Sequence, residues 1–167
     1  MNPEGRLELT WGNIPGATKR RGYQHKEKIV SLVERAGDVR SFHVERVNAA
    51  TLKPMLATHI ARETRIMTDE AGYYRGIDSH FAEHHTVNHS AGEYARGDIT
   101  TNTVEGFFSI MKRGLIGTYH HVGSQHLGRY LHEFDFRYNT RRVTDAERMI
   151  AALDGIEGKR LYYALAD

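Results

Sequence analysis

The most strongly patterned segment of the sequence reads Asn102-Thr103-Val104-Glu105-Gly106-Phe107-Phe108-Ser109-Ile110-Met111-Lys112-Arg113. At helical spacing its apolar side chains share one face, and they are Val104, Phe107, Phe108, Met111 and, just beyond the segment, Leu115. A second face carries Glu105, Ser109 and Lys112. The segment is therefore predicted to be an amphipathic helix that packs on a core. Its other side presents a carboxylate and, two turns later, a cation.

Two interpretations of Glu105 remain open from spacing alone. In the first, Asn102 is the N-cap and Glu105 completes a capping box, which satisfies free backbone N–H groups at the helix start. In the second, Glu105 is a functional carboxylate near the beginning of a helix. The second interpretation gains support if another acidic residue elsewhere in the chain is also predicted to lie at a functional position.

Residues 65–72 contain such a site, in which Asp69 is followed by Glu70. The apolar residues before Asp69 predict a buried strand, and the acidic pair and Gly72 mark its end. Side chains at the carboxyl ends of strands in an open α/β sheet lie where ligands usually bind. Asp69 is therefore a candidate functional carboxylate. A turn-forming or helix-capping aspartate is the alternative interpretation.

Several blocks of the sequence together resemble the DDE-type insertion-sequence transposases of the ISXO-like group. The blocks keep one order over most of residues 28–142, and they are Val39-Arg40-Ser41-Phe42-His43-Val44, Met67-Thr68-Asp69-Glu70, Thr86-Val87-Asn88-His89-Ser90, Thr101 through Ser109 with Lys112-Arg113-Gly114, and His126-Leu127 through Arg129-Tyr130-Leu131 with Glu133 through Asn139. The short strand patterns are weak individually. The block at 102–108 followed by the block at 133–139 is specific.

The resemblance implies an α/β fold of the RNase H-like type, with a mixed central sheet flanked by helices. It also implies DNA transposition, in which two Mg²⁺ (or Mn²⁺) ions held by carboxylates support cleavage and transfer of a DNA strand. Carried over to this sequence, Asp69 is the second acidic ligand and Glu105 is the third. Lys112 is placed to contact a DNA phosphate, and Arg113 assists it.

The first acidic ligand of the family has no counterpart in this sequence. Family members open with an aspartate at the end of a first strand, and an ungapped placement puts that position on Thr10, whose neutral hydroxyl is a poor substitute. The zinc-ribbon region that usually precedes the catalytic domain is also missing, so we expect a truncated chain with a degenerate site. One alternative is an inactive remnant that binds DNA or self-associates. Another is an enzyme that recruits Glu8 in place of the aspartate.

The remaining elements follow from periodicity and turn residues. Strands are predicted at 7–11, 28–34, 39–47, 65–68 and 86–88, and helices at 49–60, at 74–83, from Ser124 onward and from Thr144 to Leu153. One transposase catalytic domain is expected to span residues 1–167. Within it we expect an altered N-terminal strand and loop at 1–27 and a C-terminal helix and tail at 143–167.

Two further groups of polar residues carry weaker predictions. Arg137 and Arg141 lie near the end of the predicted long helix, where they either stabilise the helix dipole or contact DNA phosphates. A zinc ion could be shared by histidines on one helix, here His80, His84, His85 and His89. Hydrogen-bonded or solvated histidines are the preferred interpretation, because the 11 histidines are spread along a sequence that has no cysteine.

The amino-acid composition excludes several classes of protein. The absence of cysteine excludes disulfides and cysteine-based zinc fingers, and no apolar run approaches the ~18 residues of a membrane span. The formal net charge of +2 is too small to indicate a nucleic-acid-binding protein by itself. The resemblance implies DNA and further copies of the chain as partners, with no membrane. It places the protein in the bacterial cytoplasm, associated with the nucleoid.

Overall fold

The structure of the protein is a computed structural model that describes residues 6–15, 26–120 and 122–158. The loop predicted around Lys19 and the tail predicted after residue 158 lie outside the described residues. For residues 13–15 only the backbone is described.

The main sheet is built from strands β1 (Arg6–Pro15), β2 (Lys26–Glu34), β3 (Val39–Val44), β4 (Arg65–Asp69) and β5 (Glu83–Val87). Their order across the sheet is β3-β2-β1-β4-β5. β2 is antiparallel to both of its neighbours, whereas β4 is parallel to β1 and to β5. A short ribbon of β6 (Ala95–Arg96) and β7 (Ile99–Thr100) precedes the central helix. The mixed sheet confirms the predicted RNase H-like α/β fold.

The described residues form four α-helices. They are α1 (Ala49–His59), α2 (Asn102–Gly114), α3 (Ser124–Asn139) and α4 (Asp145–Asp154), and a π-helical turn, Leu115–Tyr119, follows α2. The apolar stripes of α2 and α3 pack on one face of β2, against Ile29 and Val33. Leu52 and Leu56 of α1 pack on the opposite face. Two apolar clusters, one on each face, therefore hold the sheet between layers of helices.

Alternation along β1 determines which of its side chains meet α2. Leu7 and Leu9 are buried in the cluster on the α1 face. Glu8 and Thr10 alternate with them and therefore face α2. Gly12 continues this series, and a Cβ atom there would lie 2.6 Å from the Phe108 ring. Glycine at this position lets α2 approach the sheet closely.

Two polar side chains of α3 complete the edge of the sheet at β3. The Asn139 amide accepts a hydrogen bond from the Val39 N–H (2.7 Å) and donates one to the Val39 carbonyl (3.0 Å). The Asp135 carboxylate accepts from the backbone N–H and the hydroxyl of Ser41, both at 2.7 Å. Asp135 and Asn139 share one helix face because they are four positions apart. These contacts explain the structural role of Asp135 and Asn139 in the block at 133–139.

The predicted helix at 74–83 is wrong. The chain forms a 3₁₀ turn at Gly72–Tyr74 and then turns until β5 begins at Glu83. Gly76 has φ +74°, a left-handed conformation that interrupts a helix. Ile77 and Phe81 pack in the cluster on the α1 face instead of forming a helical stripe. The predicted helices at 49–60 and 144–153 are confirmed, with Asn48 and Thr144 as their N-caps.

Candidate functional site

Thr10 and Asp69 are brought together by the pairing of β1 with β4. The two strands are parallel and Glu8 lies opposite Met67, so Thr10 and Asp69 follow two residues later on neighbouring strands. The Thr10 hydroxyl donates a long hydrogen bond of 3.5 Å to Asp69 Oδ2. The position that the resemblance assigns to the first acidic ligand is therefore next to the second.

Glu105, in the first turns of α2, lines a cavity together with Thr10. The cavity, of about 280 Å³, is lined by residues of β1 and α2, namely Thr10, Trp11, Glu105, Phe108, Ser109 and Lys112. Glu105 and Lys112 thus face the same space as Thr10, as their spacing on one helix face predicts. Asp69 is not among the residues that line this cavity. It contacts Thr10 and lines a second cavity, of about 550 Å³, with Glu70, Tyr74 and His84.

The start of α2 is fixed by Glu8, whose side chain is 0% exposed. Its Oε2 accepts hydrogen bonds from the backbone N–H groups of Thr103 (2.7 Å) and Val104 (3.1 Å). Its Oε1 accepts from the Thr103 hydroxyl at 3.0 Å and from Arg35, at 2.7 Å from Nη2 and 3.1 Å from Nε. The Glu8 carboxylate therefore caps α2 and at the same time neutralises the Arg35 guanidinium.

These contacts contradict the hypothesis that Glu8 replaces the missing aspartate. Both carboxylate oxygens are engaged by α2 and by Arg35, so the group is committed to structure. Pattern reasoning missed the capping role of Glu8, because its donors lie on an element far along the chain. The one available signal was a charged residue at a position that alternates with buried leucines.

The predicted capping box of Asn102 and Glu105 is also wrong. The N-cap of α2 is Thr101, and its hydroxyl donates a 2.6 Å hydrogen bond to Glu105 Oε1. Glu8 takes the place of a local cap because it accepts from the first N–H groups of the helix. The Glu105 side chain is 47% exposed and its carboxylate faces the cavity. Glu105 is therefore available for chemistry.

Asp69 sits in an environment that disfavours its charge. Burial raises the pKa of the Asp69 carboxyl, and the Glu70 carboxylate raises it as well. The Ala71 N–H, His89 and the Thr10 hydroxyl lower it by smaller amounts in sum. A carboxylate held in this way gains from a bound cation, since the cation offsets the cost of its charge.

Asp69→Asn is expected to raise the free energy of unfolding at pH 7. Folding raises the pKa of Asp69, so the folded protein favours the neutral carboxyl. The stability that this group contributes is therefore fully present at pH values below its pKa in the unfolded chain. It is lost as the pH rises through its pKa in the folded protein. Asparagine keeps an oxygen that accepts from the Ala71 N–H and carries no charge. Urea unfolding should show the variant to be more stable at pH 7, with the difference gone at pH 3. A less stable variant at pH 7 contradicts this.

The donor atoms at the site suit one hard divalent cation. Asp69 and Glu105 supply carboxylate oxygens, and Thr10 supplies a neutral one. Among the residues that the structure describes, no group of three or more His, Cys, Asp or Glu side chains is arranged to hold a metal ion. Asp69 contacts Thr10 and Glu105 lines a cavity with Thr10, so these two carboxylates are the candidates to hold a divalent cation. Position 10 supplies a neutral hydroxyl and no third carboxylate.

The four residues predicted to contact DNA differ in their distance from the cavity and in their contacts. Lys112 lines the cavity, with its Nζ 5.8 Å from the centre of the Phe108 ring, and Arg113 is exposed. Arg137 pairs with Glu133 at 2.6 Å. Arg141 donates to the carbonyls of Tyr138 (2.7 Å) and Gly37 (3.0 Å) and stacks on the Tyr138 ring at 3.9 Å. The structure therefore brings Lys112 to the site and gives Arg141 a packing role between α3 and the β2–β3 turn.

The histidines considered as possible zinc ligands do not share a helix. His84 and His85 lie on β5, where His84 bonds to Thr68 and Asp78 and His85 bonds to Glu83. His80 bonds to the Ser79 hydroxyl. The preferred interpretation, that these histidines are hydrogen-bonded, is confirmed for them. His89 differs, because its ring reaches the site and lies 3.2 Å from Glu105.

Comparison with known proteins identifies the family. The model of the ISXO2-like transposase domain matches residues 11–139, a span that begins one residue after Thr10 and includes Asp69, Glu105 and Lys112. No curated protein matches the sequence. No helix in the described part of the chain is long and apolar enough to cross a membrane. Transposases of this kind bind DNA and use divalent metal ions in general. On the strength of this match over most of its length, the chain belongs to the ISXO2-like transposase family.

Proposed function

We propose that the chain is the DNA-cleaving domain of an insertion-sequence transposase whose metal site is incomplete at Thr10. One observation supports this above all. The Thr10 hydroxyl lies 3.5 Å from Asp69 and lines a common cavity with Glu105 and Lys112. These are the positions at which the resemblance places the acidic ligands and the phosphate-contacting cation.

Each residue at the site has a distinct part in this proposal. Asp69 and Glu105 would hold a divalent cation through carboxylate oxygens. When bound, such an ion activates the attacking water or 3′-hydroxyl and stabilises the charge that develops on the phosphoryl and leaving oxygens. Lys112, two helical turns from Glu105, would contact a phosphate of the strand and hold it across the cavity. Glu8 keeps α2 in the position that this arrangement needs.

A DNA-binding remnant that does not cleave is the second candidate, and Thr10 is the observation that favours it. Both candidates include self-association, which is supported by exposed apolar side chains on α4, among them Met149, Ile150 and Leu153. Both also predict DNA binding at the Lys112 side of α2. They differ only in strand cleavage, which is tested by substitution at position 10.

Lys112→Ala is expected to weaken DNA binding and to reduce the slope of log affinity against log salt by about 1. The reason is that one phosphate contact, with its counterion release, is lost. Fluorescence anisotropy with a labelled duplex at several salt concentrations measures both quantities. Lys53→Ala is the matched control, because Lys53 lies on α1 at the opposite face of the sheet. Absence of DNA binding by the unaltered chain at low salt contradicts both candidates.

A further inference from the structure

His89 contacts both Glu70, which directly follows Asp69, and Glu105 of α2. It begins the 3₁₀ turn His89–Ala91, which follows β5, the neighbour of β4. Its Nε2 is 3.1 Å from the Thr101 hydroxyl and 3.2 Å from Glu105 Oε1. The Thr101 hydroxyl donates to the same Glu105 oxygen. The three groups form a compact cluster at Oε1, and no residue in the described part of the chain hydrogen-bonds to Oε2 of Glu105.

The turn that presents His89 is held by Glu70. Glu70 accepts hydrogen bonds from the His89 N–H (3.1 Å), the Ser90 N–H (3.0 Å) and the Ser90 hydroxyl (2.5 Å). Asn88 fixes the same turn, because its side chain accepts from the Ala91 N–H at 3.1 Å. Glu70 directly follows Asp69 at the end of β4. The end of β4 is thus linked to Glu105 through one short turn.

We propose that His89 is a positioning residue that orients the Glu105 carboxylate toward Asp69, and that Glu70 holds His89 in place to do so. This inference rests on the proposed function, in which Glu105 is a metal ligand. The Glu105 side chain is 47% exposed, so without lateral contacts it would sample several rotamers. The His89 ring nitrogen lies 3.2 Å from Glu105 Oε1, and Glu70 holds the His89 backbone, so this contact would restrict the rotamers of Glu105. Outer partners of this kind set ligand geometry and affect metal affinity strongly.

Three variants separate this role from a general effect on folding. His89→Ala removes the ring, and His89→Gln keeps a side-chain N–H donor near the position of Nε2. His85→Ala is the control, since His85 lies on β5, the strand that precedes the turn, and pairs with Glu83 instead of Glu105. Thermal unfolding of each variant establishes that it is folded.

Two measurements are made on each variant. The first is the ¹³C shift of the Glu105 carboxyl carbon in metal-free protein. We expect it to move in His89→Ala, to return toward the unaltered value in His89→Gln and to stay unchanged in His85→Ala. The second is Mn²⁺ affinity by electron paramagnetic resonance. We expect a loss of roughly 10–100-fold in His89→Ala, with partial recovery in His89→Gln.

The outcomes separate the positioning role from the proposed function. An unchanged Glu105 resonance in His89→Ala overturns the inference, and so does a glutamine variant that behaves like the alanine variant. Failure of the unaltered chain to bind Mn²⁺ contradicts the proposed metal site instead. In that case the carboxyl resonance in metal-free protein still decides whether His89 positions Glu105.

Discussion

Thr10→Asp is expected to raise the rate of Mg²⁺- or Mn²⁺-dependent strand cleavage by roughly 10²-fold or more on the terminal DNA of the insertion sequence. A carboxylate at this position would stand beside Asp69, because the Thr10 hydroxyl is already 3.5 Å from Asp69 Oδ2. It would also face the cavity that Glu105 lines. A correctly held metal ion contributes several kcal/mol of transition-state stabilisation, and each ~1.4 kcal/mol is a factor of ten in rate. Gel analysis of end-labelled DNA measures the cleavage.

The same substitution has a signature that does not depend on activity. Burial already raises the pKa of Asp69, and a second carboxylate beside it adds like-charge repulsion in the metal-free protein. Mn²⁺ relieves that repulsion, so it should raise the unfolding midpoint of Thr10→Asp more than that of the unaltered chain.

Thr10→Asn, similar in shape to the aspartate variant and uncharged, serves as the control and should gain neither cleavage nor the Mn²⁺ effect. A Thr10→Asp variant that gains the Mn²⁺ effect without cleavage supports the DNA-binding remnant. A variant without the Mn²⁺ effect contradicts the proposal that position 10 completes the metal site.

Glu8→Ala is expected to lower the free energy of unfolding by about 3–5 kcal/mol. The substitution leaves the Arg35 guanidinium without its carboxylate partner in a site where Glu8 is 0% exposed. It also removes the acceptor for the backbone N–H groups of Thr103 and Val104 at the start of α2. A partly buried guanidinium without its carboxylate and unsatisfied backbone donors both oppose folding, although Arg35 keeps its hydrogen bonds to the Asp98 and Thr100 carbonyls. Urea unfolding followed by circular dichroism measures the loss.

A matched control for Glu8 is available on the same sheet. Glu83 also pairs with an arginine, Arg65, at 2.9 Å, but its side chain is 56% exposed. Glu83→Ala should change stability little, because exposed ion pairs are screened by water. A loss in Glu8→Ala no larger than that in Glu83→Ala would show that α2 does not depend on this contact.

The part of the site that could be predicted from sequence is the part encoded by local periodicity. Alternation with buried Leu7 and Leu9 puts Thr10 on one face of a strand, and an apolar run ending in an acidic pair puts Asp69 at a strand end. Helical spacing puts Glu105 and Lys112 on one face of α2. The structure places Thr10, Glu105 and Lys112 around one cavity and Asp69 next to Thr10. Their catalytic roles stay predictions until the substitutions are made.

What could not be predicted depends on contacts between distant segments. Glu8 caps a helix that begins more than ninety residues later, and no local pattern indicates that choice. Local spacing instead favoured Asn102 as the cap, because an Asn three residues before a Glu often plays that part. The contact of Arg141 could not be predicted for the same reason, because its acceptor, the Gly37 carbonyl, lies on a turn that is distant in sequence.

The hydrogen bonds of Asp135 and Asn139 to β3 also bear on how the chain stays dispersed in a cell. An edge strand with free N–H and C=O groups is a template for pairing with strands of other molecules. Here α3 occupies those groups at Val39 and Ser41, so a helix takes the place that a sixth strand would otherwise fill. A shortened gene product that ends before residue 135 would uncover this edge and be drawn into cross-molecular β-pairing. Fragments cut at that point should therefore precipitate during expression.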